Sequence, residues 1–416
     1  MSMTQIEDAK SGKITREMAC VALDERIEQE ILRKRIASGE IVIVTRRKCK
    51  PLGIGKGLRT KVNVNLGTSS VVVDPDAEIR KAMIAVEHGA DTISDLSMGG
   101  DIDEIRRAIS HAVSIPLTTV PIYQTTAEKG SFHKIDQDDL IRIIQKQVQE
   151  GVSSVVIHAG FTLDTLTSLK KASRTMGMVS KGGSFTAAWM IEHKKENPFL
   201  ERYDEILEML RRRDVVLSLG NAMRSGCVHD LSDKPQLSEI QRNAELARRA
   251  NDVGVQTIIE GMGGHVPVKE IVAYVKYHKK IAGNRPLFVS GPLPTDIAVG
   301  YDHIAACVGA SIASGAGADY LCAITPSEHL ALPNIDHIRE GTIAFRIAAH
   351  IGDSMKYGLS DRDLNLARMR RHRDWEGQFK FALEGEKARQ IHSSGDTCTM
   401  CGDFCALKIM EQYLGH

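Results

Sequence analysis

The stretch SVVIHAG, residues 154–160, is a short apolar run that ends in a histidine and a glycine. Such runs recur along the chain and alternate with amphipathic helical stretches such as residues 76–90. Strands that alternate with helices predict βαβ units and a parallel sheet. Nine strand candidates follow this pattern: KVNVNLG (61–67), TISDLSM (92–98), PLTTVPIY (116–123), SVVIHAG, GMVSKGG (177–183), VVLSLGNA (215–222), QTIIEGMG (256–263), LFVSGPL (287–293) and YLCAIT (320–325).

The spacing of these candidates predicts an α/β fold, a (β/α)8 TIM-like barrel, which has eight strands. We therefore expect one candidate to lie outside the barrel or not to be a strand. The chain divides into an N-terminal segment (1–60), a catalytic barrel (61–345), a helical C-terminal region (346–390) and a cysteine-rich tail (391–416). In the N-terminal segment, residues 24–40 have helical spacing, and a strand at 41–44 precedes a glycine-rich turn at 53–58.

Polar residues follow most of the strand candidates. In a barrel they would meet at the carboxyl ends of the strands, the face on which barrel enzymes carry out chemistry. Single polar residues at strand ends are ordinary turn formers. Eight in succession favour a shared site: Asn65, Asp95, Tyr123, His158, Ser180, Asn221, Glu260 and His329.

The composition is that of a soluble globular protein, with 26% charged and 42% apolar residues among 416. A net charge of +1 gives no global field for nucleic acid or a membrane surface. The N-terminal residues are polar and charged, unlike a secretory signal, and the most apolar long stretch, residues 305–324, is too polar to span a bilayer. We therefore expect a cytoplasmic protein with a small-molecule partner and neither nucleic acid nor membrane.

Three of the eight cysteines lie within eight residues, Cys398, Cys401 and Cys405, in the spacing C-x2-C-x3-C. Clustered thiolates indicate zinc or an iron–sulfur cluster. A structural zinc site needs a fourth ligand, and His392 lies off the usual spacing. A 4Fe–4S cluster held by three cysteines leaves one iron open, and that iron can bind S-adenosylmethionine. Spacing alone leaves both alternatives open.

His265 and His329 each follow a strand candidate, and together with Glu260 they form a candidate site for a divalent metal. Either histidine alone is better explained as a hydrogen-bonded structural residue. The loops SKGGS (180–184) and GNAMRSG (220–226) have the glycines, hydroxyls and cations that can cradle a phosphate. No Walker A sequence is present, which argues against a nucleoside triphosphatase.

Ten stretches of the chain, in this order, resemble the phosphomethylpyrimidine synthase family of thiamin biosynthesis. The resemblance covers most of residues 15–416 and implies a (β/α)8 barrel, a homodimer and a C-terminal tail that carries a 4Fe–4S cluster. It also implies that an electron from a low-potential donor cleaves S-adenosylmethionine, and that the resulting 5′-deoxyadenosyl radical abstracts hydrogen from 5-aminoimidazole ribotide. The stretches are KVNVNLGTSS, ADTISDLSMGGDIDEIR, VPIYQ, VVIHAG, VSKGGSFTAAWM, SLGNAMRSGC, IIEGMGGHVP, GPLPTDIAVGYDHI, ITPSEHLALPN and CTMCGDFCALKI.

The resemblance also implies roles for single residues. It assigns the cluster to Cys398, Cys401 and Cys405, and a second metal, zinc or iron, to His265 and His329. Glu260 is implied as a catalytic residue. The implied substrate-binding positions are Asn65, Ser94, Tyr123, His158, Ser180, Lys181, Gly182, Asn221, Ala222, Met223, Arg224, Glu260 and Phe288.

Five of these positions depart from the family pattern: Ser94 replaces Met, Lys181 replaces Arg, Asn221 replaces Asp, Ala222 replaces Gly and Phe288 replaces Tyr. An inserted glycine also precedes His265. The departures lie at the implied substrate pocket, whereas the cluster and metal ligands are kept.

This pattern resembles a sister group, the 5-hydroxybenzimidazole synthases of anaerobic cobamide synthesis, which use the same ribotide. We predict that the chain is such an enzyme, with phosphomethylpyrimidine synthase as the alternative. A zinc-tailed barrel that binds a nucleotide without turnover is the non-enzyme alternative. A non-radical lyase that uses only His265, His329 and Glu260 is a further one.

Overall fold

The computed structural model describes residues 3–46, 48–230, 232–261, 263–392, 395 and 397–414. The chain forms two compact units, Met1–Asp353 and Ser354–His416. The first unit contains an N-terminal segment and the barrel, and the second contains the cysteine tail.

The barrel consists of eight parallel strands that close on themselves, which confirms the predicted fold class. Each strand pairs with the next in chain order, and the last pairs with both the first and the seventh, so no edge is left open. The two strands that precede the barrel in the chain are β1 (Ile41–Val44) and β2 (Leu52–Gly55). The barrel strands are β3 (Lys61–Leu66), β4 (Thr92–Asp95), β5 (Leu117–Thr119), β6 (Ser154–Ile157), β7 (Val216–Leu219), β8 (Thr257–Glu260), β9 (Leu287–Ser290) and β10 (Tyr320–Cys322).

The candidate strand at 177–183 is wrong, and this accounts for the surplus in the sequence-based count. Ser180 is the N-cap of a helix, Lys181–His193, and its Oγ accepts the Gly183 N–H at 3.2 Å. Serine is a favoured N-cap residue, because its side-chain oxygen accepts a hydrogen bond from an unpaired backbone N–H in the first turn of a helix. At this position the N-cap, and not the short apolar run before it, determines the local structure. The candidate at 116–123 is also shorter than predicted, because Pro121 begins a helix after Thr119. Tyr123 therefore lies in the first turn of that helix.

Helices surround the barrel in the expected order. The helices of the N-terminal segment are α1 (Gln5–Lys10), α2 (Arg16–Glu25) and α3 (Gln29–Ala37). Those of the barrel are α4 (Pro75–Glu87), α5 (Ile102–Ala112), α6 (Pro121–Lys129), α7 (Gln137–Glu150), α8 (Leu163–Lys171), α9 (Lys181–His193), α10 (Pro198–Glu201), α11 (Tyr203–Arg213), α12 (Lys234–Asp252), α13 (Val268–Ile281), α14 (Asp302–Ala316) and α15 (Ile335–Tyr357), with a 3-10 turn at Phe132–Lys134. The predicted boundary at residue 345 falls within α15.

The N-terminal segment closes the amino end of the barrel. β1 and β2 form an antiparallel pair whose Val42 and Ile54 side chains belong to one apolar cluster with Val216, Phe288 and Tyr320. The predicted glycine-rich turn is therefore partly a strand. The predicted helix over 24–40 is two helices, since Arg26 adopts a left-handed conformation that ends α2.

The second unit is helical, as predicted. Its own helices are α16 (Asp361–Arg371), α17 (Trp375–Phe381), α18 (Gly385–Ile391) and α19 (Ala406–Leu414), with a 3-10 turn at Gly402–Phe404. Among the residues that the structure describes, no helix combines the length and the apolarity needed to cross a bilayer.

Candidate active site

A cavity of about 420 Å³ opens at the carboxyl ends of the barrel strands. Its wall includes Ser290 at the end of β9 and Cys322 at the end of β10. This is the face of a (β/α)8 barrel on which loops can bring several side chains together. Five residues singled out in the sequence line the cavity: Asn65, Lys181, Arg224, His265 and His329.

His265 and His329 face one another at this cavity. Their Nε2 atoms are 3.4 Å apart, although 64 residues separate them in the chain. A tetrahedral zinc ion bound by two imidazoles, each at about 2.0–2.1 Å, holds the two nitrogens about 3.3–3.4 Å apart. The pair thus has the nitrogen separation that such an ion would require.

A carboxylate lies behind each of these imidazoles. Nδ1 of His265 donates to Asp296 at 2.5 Å, and Nδ1 of His329 lies 3.7 Å from an Asp302 oxygen. A proton held at Nδ1 leaves the Nε2 lone pair free, as in carboxylate–histidine–metal arrangements. Two facing lone pairs repel each other unless a cation or a proton lies between them. The donor set therefore fits a divalent metal.

The carboxylate nearest to the pair in sequence is Glu328, which the sequence analysis did not select. Glu328 lines the cavity, and its charge acts on His329, His265 and Arg224. Burial raises the pKa of this carboxyl, and nearby Arg224 is among the groups that oppose the rise. Its place beside His329 in the stretch SEHL was the available signal.

Glu260, at the end of β8, has its hydrogen-bond partner inside the barrel and not at the histidine pair. Its carboxylate accepts the Ser218 hydroxyl at 3.2 Å. Burial raises the pKa of Glu260, and the opposing charge of Arg224 is the largest influence that lowers it. A carboxyl whose pKa is raised by burial and that lies close to a cation is a candidate for accepting and releasing a proton in catalysis.

His158 is enclosed at the end of β6 by two glycines. A Cβ at Gly182 would lie 2.3 Å from its ring, and a Cβ at Gly220 would lie 2.7 Å from it. Its Nε2 contacts the Ser180 hydroxyl at 3.3 Å, whereas its buried Nδ1 has no hydrogen-bond partner among the described residues. Burial, with a smaller contribution from the charge of Arg224, lowers the pKa of His158 to about 3. The imidazole is neutral, and its unpartnered nitrogen suits a bound ligand.

The loop after β7 is held by a buried carboxylate, Glu239 of α12. It accepts the Asn221 side-chain amide at 2.7 Å, the Ala222 N–H at 2.6 Å and the Met223 N–H at 2.8 Å. Burial raises the pKa of Glu239 to about 7, although these donors favour its charged form. Asn221 Oδ1 is buried and has no partner among the described residues. Ala222 and Met223 are fully buried, so they act on the site through this loop.

A second hydrogen-bond centre, Asn63, lies inside the barrel. It accepts hydroxyls from Thr92 at 2.9 Å and Ser94 at 3.0 Å, and its amide donates to Asn65 at 2.8 Å. Ser94 is therefore engaged with Asn63, and Asn65 is oriented by it. Both belong to one network at the floor of the cavity.

Three further implied substrate positions have defined surroundings. Lys181 Nζ lies 5.3 Å from the Tyr123 ring centroid, a cation–π contact. Burial raises the pKa of Tyr123 to about 12. Phe288 stacks on Tyr320 with ring centroids 4.1 Å apart, and both belong to the apolar cluster that includes Val42 and Ile54. Phe288 therefore lies deeper in the barrel than the residues that line the cavity.

The cysteine tail, in the second unit, presents its thiols at the surface. Cys401 is exposed, whereas Cys398 and Cys405 are partly buried. Backbone N–H groups of Cys401 and Met400 donate to Cys398 and lower the pKa of its thiol. This favours the thiolate that a metal cluster requires. His392, considered in the sequence as a fourth ligand, stacks on Trp375 at 4.0 Å between ring centroids.

Sequence comparison supports one family across the chain. The sequence profile of the radical SAM ThiC family matches residues 4–412. The chain is 46% identical over 426 residues to phosphomethylpyrimidine synthase 1 of Methanothermobacter thermautotrophicus, covering 99% of this chain and 98% of that protein. It is 44% identical over 427 residues to phosphomethylpyrimidine synthase of Moorella thermoacetica, covering 99% of both. A dihydropteroate synthase structure from Coxiella burnetii is 12% identical, with a TM-score of 0.45 over 76% of this chain and 98% of that one. The chain belongs to the radical SAM ThiC family of enzymes.

Proposed function

We propose that this enzyme acts on 5-aminoimidazole ribotide and converts it to 5-hydroxybenzimidazole. The observation that carries the substrate class is the cavity at the barrel mouth, which is about 420 Å³ and is lined by the cations Lys181 and Arg224. That volume suits a small molecule, and two cations suit a phosphate group. The unpartnered nitrogen of His158 and oxygen of Asn221 offer positions for polar groups of the ligand.

Membership of this family implies a 4Fe–4S cluster and S-adenosylmethionine. We propose Cys398, Cys401 and Cys405 as the cluster ligands. When bound, the cluster would supply the electron that cleaves S-adenosylmethionine, after receiving it from a low-potential donor. The surface position of these thiols and the lowered pKa of Cys398 support the assignment. The family resemblance further suggests a homodimer.

We propose that His265 and His329 hold a divalent ion, zinc or iron, at the edge of the cavity. Asp296 and Asp302 would fix the ring orientations by holding protons at Nδ1. Glu260 would handle protons during the rearrangement, since burial raises its pKa. Lys181 and Arg224 would anchor the phosphate and so orient the ribotide beside the ion.

We infer that the product depends on residues that depart from the pyrimidine-synthase pattern. Of these, Lys181 lines the cavity, whereas Asn221 and Phe288 lie behind its lining. Asn221 places an amide, instead of a second carboxylate, next to the buried Glu239. Phe288 adds no hydroxyl to the barrel interior, where a tyrosine would. Both changes remove proton donors or acceptors and so favour a different fate for the substrate radical. The names of the relatives favour the alternative product, phosphomethylpyrimidine.

The test is anaerobic turnover of the reconstituted full-length enzyme with 5-aminoimidazole ribotide, S-adenosylmethionine and a reductant. Mass spectrometry should detect 5-hydroxybenzimidazole together with 5′-deoxyadenosine. Hydroxymethylpyrimidine phosphate would instead establish the alternative product. Zinc in place of iron and sulfide, with no 5′-deoxyadenosine, would favour a nucleotide-binding protein. Full activity of Cys401→Ala would favour a non-radical lyase.

A further inference from the structure

A group of three metal-ligating side chains lies near the histidine pair: Cys227 and His229 have no role above, and Asp296 also orients His265. Cys227 and His229 follow β7, and Asp296 follows β9. One ligand atom from each residue lies within 4.8 Å of the other two. Cys227 and Asp296 are partly buried, whereas His229 is exposed.

We propose that Cys227, His229 and Asp296 bind a second divalent transition metal, preferentially zinc, with solvent at the fourth position. A thiolate, an imidazole and a carboxylate are each common zinc ligands, and the thiolate selects against magnesium and calcium. Zinc would displace the thiol proton to solvent, as is usual for cysteine ligands. Ligand atoms around a tetrahedral zinc ion lie about 3.3–3.8 Å apart. The three ligand atoms here lie within 4.8 Å of one another, so they would move closer together by side-chain rotation when an ion binds.

The surrounding backbone already holds these ligands in place. The Asp296 carboxylate accepts the Val228 N–H, which joins it to the loop between the other two ligands. Asp230 accepts the Thr175 N–H at 2.6 Å and the Met176 N–H at 2.8 Å, and its own N–H donates to the Cys227 carbonyl at 3.0 Å. The loop is thus anchored on both sides before an ion binds. This reduces the ordering that an ion would impose.

Asp296 also links the new site to the histidine pair. Its Oδ1 accepts the His265 Nδ1–H, and its Oδ2, which accepts the Val228 N–H at 3.1 Å, keeps a second lone pair as a candidate ligand for the second ion. His265 would then bind the first ion and Asp296 the second, and the hydrogen bond between these two residues would link the two sites. Residues Arg224, Ser225 and Gly226, just before Cys227, line the cavity. An ion at the second site would therefore stabilise one wall of that cavity.

Cobalt binding tests the proposal because the two proposed metal sites of the barrel differ in their ligands. The site at Cys227 includes a thiolate, whereas the site at His265 and His329 does not. The probe is Co²⁺, added anaerobically to the metal-depleted full-length chain in which the three tail cysteines are replaced by serine. We expect two Co²⁺ per chain and a sulfur-to-cobalt charge-transfer absorption. Cys227→Ser should remove that absorption and one Co²⁺, and His229→Ala should weaken binding at least tenfold. Cys20→Ser, on α2, is the matched control and should change neither.

A second measurement uses the native chain with its cluster reconstituted. Zn²⁺ should slow alkylation of Cys227 by iodoacetamide, as mapped by mass spectrometry, and should not protect Cys20. Absence of the charge-transfer absorption, together with unprotected Cys227, would overturn the proposal. The absorption reports the thiolate site alone, so its outcome is independent of whether His265 and His329 bind metal or of which product the enzyme makes.

Discussion

The barrel mouth and the cysteine tail both carry residues that we propose as metal ligands, but the surroundings that hold those residues differ. At the mouth, His265 is 8% exposed and its ring is held by a carboxylate. In the tail, Cys401 is exposed, and the ordering contacts around Cys398 come from neighbouring backbone N–H groups. A fixed framework sets the nitrogen separation of the first site. In the tail, the Cys398 and Cys401 thiols are already in hydrogen-bond contact, and neighbouring tail backbone, rather than a packed framework, orders them.

Removing one tail thiol should have the largest effect. Cys401→Ser removes one of the three proposed cluster ligands, so formation of 5′-deoxyadenosine should fall below detection and the iron content should drop. The metal content and the melting temperature of the barrel should stay unchanged, because the framework does not depend on the cluster. Thr399→Ala, an exposed neighbour, is the control and should retain activity. Retained cleavage of S-adenosylmethionine by Cys401→Ser would show that another residue completes the cluster.

The converse change is made at the barrel. His329→Ala leaves one of two histidine ligands, so the proposed metal should be lost on dialysis while the tail cluster keeps its iron and sulfide. Asp302→Asn weakens only the orientation of His329, and we expect a loss of about 10- to 100-fold in metal affinity. Metal analysis and competition with a chelator measure both effects. Equal metal content in wild type and His329→Ala would place the ion elsewhere.

A change in packing tests the rigidity of the mouth without removing a polar group. In Gly182→Ala the new Cβ would lie 2.3 Å from the His158 ring, so the ring or α9 must move. Overpacking of this kind costs about 1–3 kcal/mol. Urea unfolding should show this loss, and substrate affinity should fall as well. Glu192→Ala, at an exposed position of the same helix, should change neither. Unchanged stability of Gly182→Ala would mean that the mouth adapts more than its packing suggests.

The strands of the barrel were predictable because each is buried on both faces and reads as a short apolar run. The run at 177–183 was misleading because Ser180 and the residues after it begin a helix. The histidine pair was foreseen as two residues after strands, yet the facing of their Nε2 atoms depends on loops 64 residues apart. No local pattern encodes that separation.

Residues that act through burial were the ones missed. Glu239 lies on α12, where a glutamate in an amphipathic stretch is usually solvent-exposed, yet it is fully buried and holds the loop after β7. Asn63 stands two residues before Asn65; pairing of β3 with β4 brings Thr92 to it, and closure of the barrel brings Tyr320. Asp296 is joined to His265 across two loops. Each depends on contacts distant in sequence.

The smallest predicted effect is a pH dependence of stability that arises from two buried histidines, His158 and His278. Burial lowers the pKa of both His158 and His278 to about 3, below their ordinary value of 6.5. As the pH falls below 6.5, these two histidines bind protons in the unfolded chain but stay neutral in the folded chain. Their contribution to folding stability is therefore lost with acidification. At pH 5.5 each histidine should account for about 1.4 kcal/mol of that loss.

Urea unfolding at pH 7.5, 6.5 and 5.5 is compared between the wild type and each of His158→Gln and His278→Gln, and each variant should lack its own share of the loss. The comparison is needed because Glu239, whose pKa is raised to about 7, adds stability as the pH falls over the same range in all three proteins. His278 lies on α13, and neither of its ring nitrogens has a partner among the described residues. A substrate analogue that contacts His158 should stabilise the wild type and His278→Gln more than His158→Gln, which lacks that contact. If the analogue stabilised both variants equally, His158 would be a structural histidine like His278. The ligand-binding part of the barrel mouth would then not include His158.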